Sequence, residues 1–299
     1  MKKLFVFSVI LLLLCGAAAA EGVISVTATD FPCYDFARQV VGDCGEVTML
    51  IHPGAEVHFY DPSPSDILMI GQSDLFVYIG GESDAWVDSI LSGYDGDSPE
   101  TLRMMDAVDA VEEEGHEHAE AEGPEYDEHI WTSPKNARRM VLALADRLSG
   151  IDPENAEVYQ ANADAYIAQI DEIDAAFEAV VRDGARREVV FADRFPFLYF
   201  VRAYGLDYAA AFASCTAETE PTPQTMMALI QRVNDDHIPV IYTIEMSSQA
   251  VAQTIAEETG ARILTMHSVQ SVTQDEFDAG ETYVTLMWKN VEALREGLR

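Results

Sequence analysis

Basic residues are scarce in this chain of 299 residues. Lysine and arginine total 18 against 52 aspartates and glutamates, so the formal net charge is −34 at pH 7. Proteins bind phosphate backbones through clustered lysine and arginine, which a surface this acidic does not offer. The composition therefore argues against nucleic acid as a partner, and it disfavours an anionic membrane surface for the same reason.

Long apolar runs are missing after the first twenty residues. Residues 4–14 form an apolar stretch that follows two lysines and precedes small residues at 17–20. Because about 20 apolar residues are needed to span a bilayer, this pattern predicts a secretory signal peptide over residues 1–20. A lipid anchor on Cys15 is the alternative. We expect the mature protein outside the cytoplasmic membrane, in the periplasm or at the cell surface.

Cysteine is scarce as well, and the motifs of several enzyme classes are absent. The four cysteines include no C-x-x-C pair, which argues against a thiolate zinc site. Cys33 and Cys44 fall at opposite ends of one predicted helix, too far apart for a disulfide. The chain contains no H-E-x-x-H, G-x-S-x-G or G-x-x-x-x-G-K-[S/T] segment, so these common hydrolase and nucleotide-binding motifs do not indicate an enzyme.

Short β-branched runs alternate with helical patterns through the rest of the chain. Strands are predicted at residues 23–27, 47–51 and 75–79, and again at 188–192, 208–212, 240–244 and 262–266. This alternation is typical of mostly parallel sheets flanked by helices. Between the two series, one apolar stripe continues from Asp152 to about Arg182 and predicts a single long helix.

The sequence therefore predicts an α/β protein with two lobes. The first α/β lobe covers residues 21–151, a rigid linking helix covers 152–183, and the second α/β lobe covers 184–299. Residues 112–128 form an acidic loop within the first lobe, and this loop contains His116 and His118. Its composition indicates an exposed segment.

Three histidines occupy loops of the kind in which open α/β sheets bind their ligands. His58 follows the second predicted strand, His129 precedes a helix that begins near Ser133, and His267 directly follows the last predicted strand. Neutral imidazole is a good zinc ligand, and three protein ligands with a water or a carboxylate form a common zinc site. A single loop histidine is more often an ordinary side chain, so the metal hypothesis depends on folding that brings all three together.

Two segments resemble the ligand loops of the zinc/manganese-type substrate-binding proteins of ABC transporters. They are G-A-E-V-H-F-Y at residues 54–60 and D-E-H-I-W-T-S-P at residues 127–134. The acidic, histidine-bearing loop between them is typical of the zinc members, and the resemblance extends over essentially the whole mature chain. It implies two α/β lobes joined by one long helix and a metal site in the cleft between them.

The resemblance also implies a ligand set. At the family's third ligand position this chain has Asp193 and Arg194, and an arginine cannot ligate because its guanidinium stays protonated. The fourth position aligns with His267. Three imidazoles favour Zn²⁺ over Mn²⁺. The implied ligands are His58, His129 and His267, with Asp193, Glu220, Glu245 or water as a fourth ligand or as groups that orient an imidazole.

The expected function is high-affinity zinc binding outside the cytoplasm and delivery of the ion to an ABC transporter permease. We expect a monomer without enzymatic activity. Two alternatives stay open at this point: a manganese- or iron-binding member of the same family, and a secreted zinc-dependent hydrolase, which would also use three protein ligands and an open position.

Overall fold

The computed structural model describes residues 23–94, 98–112, 126–212 and 221–299. The predicted signal peptide, including Cys15, lies outside these residues, as do His116, His118, Cys215 and Glu220. Within the described ranges, no helix is both long enough and apolar enough to cross a membrane.

A four-stranded sheet forms the centre of the first lobe. All its neighbouring strands are parallel, and their order is β2-β1-β3-β4. The strands are β1 (Ile24–Ala28), β2 (Gly45–Met49), β3 (Leu75–Tyr78) and β4 (Glu100–Arg103). The helices are α1 (Phe31–Val41), α2 (Pro64–Gln72), α3 (Trp86–Leu91) and α4 (Pro134–Ile151). Strand β4 was not among the predicted strands, because it lies at the sheet edge and buries only Leu102 of its four residues.

The second lobe repeats this arrangement with the strand order β6-β5-β7-β8, again all parallel. The strands are β5 (Glu188–Phe191), β6 (Asp207–Ala210), β7 (Val240–Thr243) and β8 (Arg262–Thr265). The helices are α6 (Leu198–Tyr204), α7 (Pro223–Asp235), α8 (Ala250–Thr259), α9 (Gln274–Asp278) and α10 (Tyr283–Gly297). In each lobe the first strand separates the second from the third, which opens a crevice at the carboxyl ends of the strands.

Helix α5 (Ala156–Asp183) lies between the lobes in sequence and has 28 residues. At about 1.5 Å per residue it is about 42 Å long. It begins after the predicted start at Asp152, because residues 153–155 form a separate short helical turn. The Asp152 carboxylate accepts hydrogen bonds from Asn155 Nδ2 and Tyr159 Oη and so closes that turn.

The hydrophobic core is continuous across the two lobes. Val26 and Val77 of the first sheet belong to the same buried cluster as Val189 and Phe191 of the second. Helix α5 contributes its apolar stripe to this cluster and packs against α1, α4 and α10. A large apolar interface of this kind restricts the motion of one lobe relative to the other.

A buried carboxylate connects three of these helices. Asp35 of α1 is fully buried and accepts a hydrogen bond from Tyr166 Oη of α5 at 2.5 Å. It also accepts one from the backbone N–H of Tyr283, the first residue of α10, at 2.8 Å, and one from Arg38 Nε at 2.8 Å. Each donor would lose its partner if the carboxylate were removed.

We therefore predict that Asp35→Ala lowers the free energy of unfolding by about 3–5 kcal/mol, because it leaves two buried donors, Tyr166 Oη and the Tyr283 backbone N–H, without their partner. Guanidinium denaturation measures this loss. Asp164→Ala removes an exposed aspartate from α5 and should change stability by no more than about 0.5 kcal/mol. Equal stability of the two variants would contradict the role given to Asp35.

Candidate metal centre

Two of the predicted histidines meet at the cleft. His58 lies in the loop that follows β2, and His129 precedes a short helical turn and α4. Their Nε2 atoms are 3.4 Å apart, although 71 positions separate them in the sequence. The His58 side chain is 4 % exposed and His129 is 5 % exposed, so both imidazoles are largely shielded from water.

A carboxylate completes a cluster of three. Glu128 Oε1 lies 3.7 Å from His58 Nε2, and the ligand atoms of His58, Glu128 and His129 all lie within 4.8 Å of one another. Among the residues that the structure describes, no other group of three His, Cys, Asp or Glu side chains has this spacing. All three residues belong to the first lobe.

Each imidazole is oriented by a neighbouring carboxylate. His58 Nδ1 lies 2.8 Å from Glu56 Oε1, and His129 Nδ1 lies 3.2 Å from Asp127 Oδ1. A carboxylate oxygen only accepts, so these contacts place the imidazole proton on Nδ1 and leave Nε2 to face the shared space. The hydrogen bond from His58 lowers the pKa of Glu56 to about 2 and keeps this carboxylate ionised.

The turn after β3 fixes the third member of the cluster. Glu128 Oε2 accepts a hydrogen bond from the backbone N–H of Ser83 at 2.9 Å, and Oε1 accepts one from the Ser83 hydroxyl. Gly81 makes the close approach possible, since its φ is 98° and a Cβ there would lie 2.9 Å from the Glu128 side chain. The carboxylate is therefore held against the two imidazoles by the fold of the first lobe.

Two buried acids lie behind this carboxylate. Burial raises the pKa of Asp84 to about 6 and that of Asp30 to about 8. Asp30 is thus mostly protonated at neutral pH. It adds little negative charge beside Glu128.

The donor set fits a zinc ion. A tetrahedral ion with bonds of about 2.0–2.1 Å separates its ligand atoms by roughly 3.3 Å, and the measured separations from His58 Nε2 are 3.4 and 3.7 Å. Two imidazole nitrogens and one carboxylate oxygen occur together in zinc sites, with one coordination position left for a further ligand.

A residue of the second lobe also reaches this cluster. Gln270 Nε2 lies 3.4 Å from His58 Nε2, and reversing the amide would point Oε1 at the same space. Sequence reasoning missed both Gln270 and Glu128. Glu128 could have been identified as a candidate ligand from the sequence, because it directly precedes His129. Gln270 had none, because no strand end or motif marks it and an amide is an uncommon zinc ligand.

The structure does not bring His267 into the cluster. Its Nδ1 accepts a hydrogen bond from the backbone N–H of Val269 at 2.9 Å, and its Nε2 lies 3.7 Å from Glu276 Oε1. Its backbone N–H and C=O are both bonded to the Asn290 side chain. In this arrangement His267 stabilises the turn from which Gln270 extends.

The predicted fourth ligands have other partners. Asp193 accepts from the backbone N–H groups of Arg194 at 2.9 Å and Ile244 at 3.3 Å, one with each oxygen. Glu245 accepts from the backbone N–H of Ser268 at 2.6 Å and from its hydroxyl. Both carboxylates therefore fix loops at the edge of the cleft. Glu220 lies outside the described residues.

A cavity of about 440 Å³ separates the lobes beside the cluster. Glu56 and His58 line it from the first lobe, and Asp193, Arg194, Glu245 and Gln270 are among the residues that line it from the second. Two parallel α/β lobes around a shared cleft, with a cluster of two oriented imidazoles and a carboxylate beside it, define a two-lobed binding protein with a candidate metal centre.

The chain belongs to the ZnuA family, described as the zinc-uptake complex component A, periplasmic, whose model matches residues 26–297. It is 32 % identical over 284 residues to the zinc-binding lipoprotein AdcA of Streptococcus pneumoniae, with 93 % of this chain and 56 % of AdcA covered. It thus spans about half the length of that relative. It is 29 % identical over 310 residues to the high-affinity zinc uptake system protein ZnuA of Bacillus subtilis, with 99 % of this chain and 97 % of ZnuA covered.

Solved structures show the same architecture. The Zn(II)-bound ZnuA-like domain of Streptococcus pneumoniae AdcA matches with a TM-score of 0.79 at 30 % identity, covering 93 % of this chain and 99 % of that one. The family membership confirms the resemblance seen in the sequence, and the structural match confirms the two-lobed α/β fold.

We predict that His58→Ala and His129→Ala each weaken zinc binding at least about tenfold, which is about 1.4 kcal/mol, because each removes an oriented ligand. Isothermal titration calorimetry measures the change. His52→Ala removes an exposed histidine near His58 and serves as the control with wild-type affinity. Unchanged affinity in both cluster variants would remove the proposed centre.

Proposed function

We propose that this protein binds Zn²⁺ outside the cytoplasm through His58, Glu128 and His129 and delivers the ion to the permease of an ABC transporter. The observation that carries the proposal is the convergence of two oriented imidazoles and one carboxylate in the first lobe, with His58 lining the cavity between the lobes. The family relationship and the names of the relatives, zinc-binding lipoprotein AdcA and high-affinity zinc uptake system protein ZnuA, support it.

Zinc is favoured over the harder cations by the ligand types. Imidazole nitrogen suits Zn²⁺, whereas Mn²⁺ and Mg²⁺ prefer sites built mainly from oxygen. Glu128 supplies one negative charge, and Glu56 and Asp127 polarise the imidazoles through their Nδ1 protons. This polarisation makes the Nε2 atoms better donors to the ion.

The second lobe contributes less directly. Gln270 is placed to contact the ion or a water bound to it, because its amide already lies against His58. Ligation by His267 stays a prediction. It requires a change in the turn that holds His267, since Val269 donates to its Nδ1 in the present geometry.

Transport is favoured over catalysis as the use of the site. The family is one of solute-binding transport proteins rather than enzymes. We infer that the protein has no hydrolase activity, acts as a monomer and does not bind nucleic acid, the last in keeping with its net charge of −34. The predicted signal peptide and the family description support a location outside the cytoplasmic membrane.

Metal selectivity tests this function. Elemental analysis and titration of the metal-free protein should give one tightly bound Zn²⁺ per chain, with Mn²⁺ at least about tenfold weaker because the site offers two nitrogen ligands. Competition between the two metals at equal concentration measures the preference. Equal or tighter binding of Mn²⁺ would contradict zinc as the cargo.

A further inference from the structure

An ion pair spans the cleft beside the metal centre. Arg194 of the second lobe points its Nη1 at Glu56 Oε2 of the first lobe, at 3.3 Å. The other oxygen of the same carboxylate, Oε1, accepts the hydrogen bond from His58 Nδ1 at 2.8 Å. A single carboxylate therefore contacts both a proposed zinc ligand and a cation of the opposite lobe.

The fold fixes the starting point of the arginine side chain. Asp193 is 9 % exposed, and its two oxygens accept from the backbone N–H groups of Arg194 and Ile244. The loop after β5 is thereby tied to the end of β7. The Arg194 side chain is 30 % exposed, and its guanidinium carries its charge at every physiological pH.

A cation at this place has an electrostatic cost for metal capture. A guanidinium facing a divalent ion across the cleft repels it, and solvent screens part of this repulsion because the Arg194 and Glu56 side chains are 30 % and 49 % exposed. Glu56 contacts both Arg194 and the ligand imidazole. Its negative charge offsets that of the guanidinium.

We propose that Glu56 is a positioning residue with two functions. It orients His58 so that Nε2 faces the ion, and its negative charge compensates the positive charge of Arg194, which lies beside the proposed zinc site. The inference rests on the proposed function, because it assumes zinc at His58. An exposed ion pair contributes little to stability by itself, so the expected effect of this one is on metal affinity, through the contact of Glu56 with His58.

A double-mutant cycle tests the proposal by the sign of the coupling. Zinc affinity is measured by chelator competition for the wild type, Glu56→Gln, Arg194→Gln and the double variant. Glu56→Gln should bind at least about tenfold more weakly, because it removes the negative charge that polarises the His58 imidazole and offsets the guanidinium of Arg194. Arg194→Gln should stay within about threefold of the wild type. The double variant should regain at least about threefold relative to Glu56→Gln, because the uncompensated cation is gone.

Salt dependence gives a second readout that a structural role would not produce. Raising the ionic strength should improve the relative affinity of Glu56→Gln, because salt screens an uncompensated charge, and should not do so for the double variant. Glu46→Gln removes an exposed carboxylate from β2 and is the matched control with wild-type affinity. Thermal unfolding of the metal-free variants checks that each one folds.

Two results would overturn the inference: wild-type affinity in Glu56→Gln, or a double variant that binds no better than Glu56→Gln. Both leave the proposed function intact if the wild type still binds zinc. A wild-type protein that binds no zinc would instead refute the proposed function, so the two failures are distinguishable.

Discussion

The continuous packing of helix α5 against both lobes is the constraint on which the rest of the structure depends. This helix contacts α1 and α4 of the first lobe and α10 of the second, inside one hydrophobic core. Asp35 adds buried hydrogen bonds among α1, α5 and α10. Lobes joined in this way are limited to small tilts, unlike lobes that swing about flexible strands. The proposed capture of a metal ion would therefore use a site that is largely formed before the ion arrives.

The candidate metal centre meets this requirement, because all three members of its cluster, His58, Glu128 and His129, belong to the first lobe. Glu56, Asp127 and Ser83 hold the ligand side chains through direct hydrogen bonds. Such preorganisation reduces the ordering that binding would otherwise require. The second lobe approaches with an amide, Gln270, and with a cation, Arg194, whose charge is offset by Glu56. The second lobe therefore contributes neighbours of the candidate centre but none of its three clustered side chains.

The sequence predicted the architecture well, because alternating strands and helices and one unbroken apolar stripe are visible in residue order. It also predicted one metal site containing His58 and His129, and the structure brings these two imidazoles together. The directions of individual side chains could not be predicted from the sequence in the same way. His267 lies two residues after the end of β8. The turn after it places the β-branched Val269 at φ 66°, a conformation that residue type would not suggest. That turn satisfies Nδ1 of His267 and sends Gln270 to the cleft instead. The conformation of such a turn is not predicted by the order of the residues.

The most direct measurement is a crystal structure of the zinc-loaded protein with anomalous data collected at the zinc edge. We predict one strong peak at bonding distance, about 2.0–2.2 Å, from His58 Nε2, His129 Nε2 and a Glu128 oxygen, with Gln270 beside it. A peak bonded to His267 and Glu276, with the His58 and His129 imidazoles unligated, would contradict it.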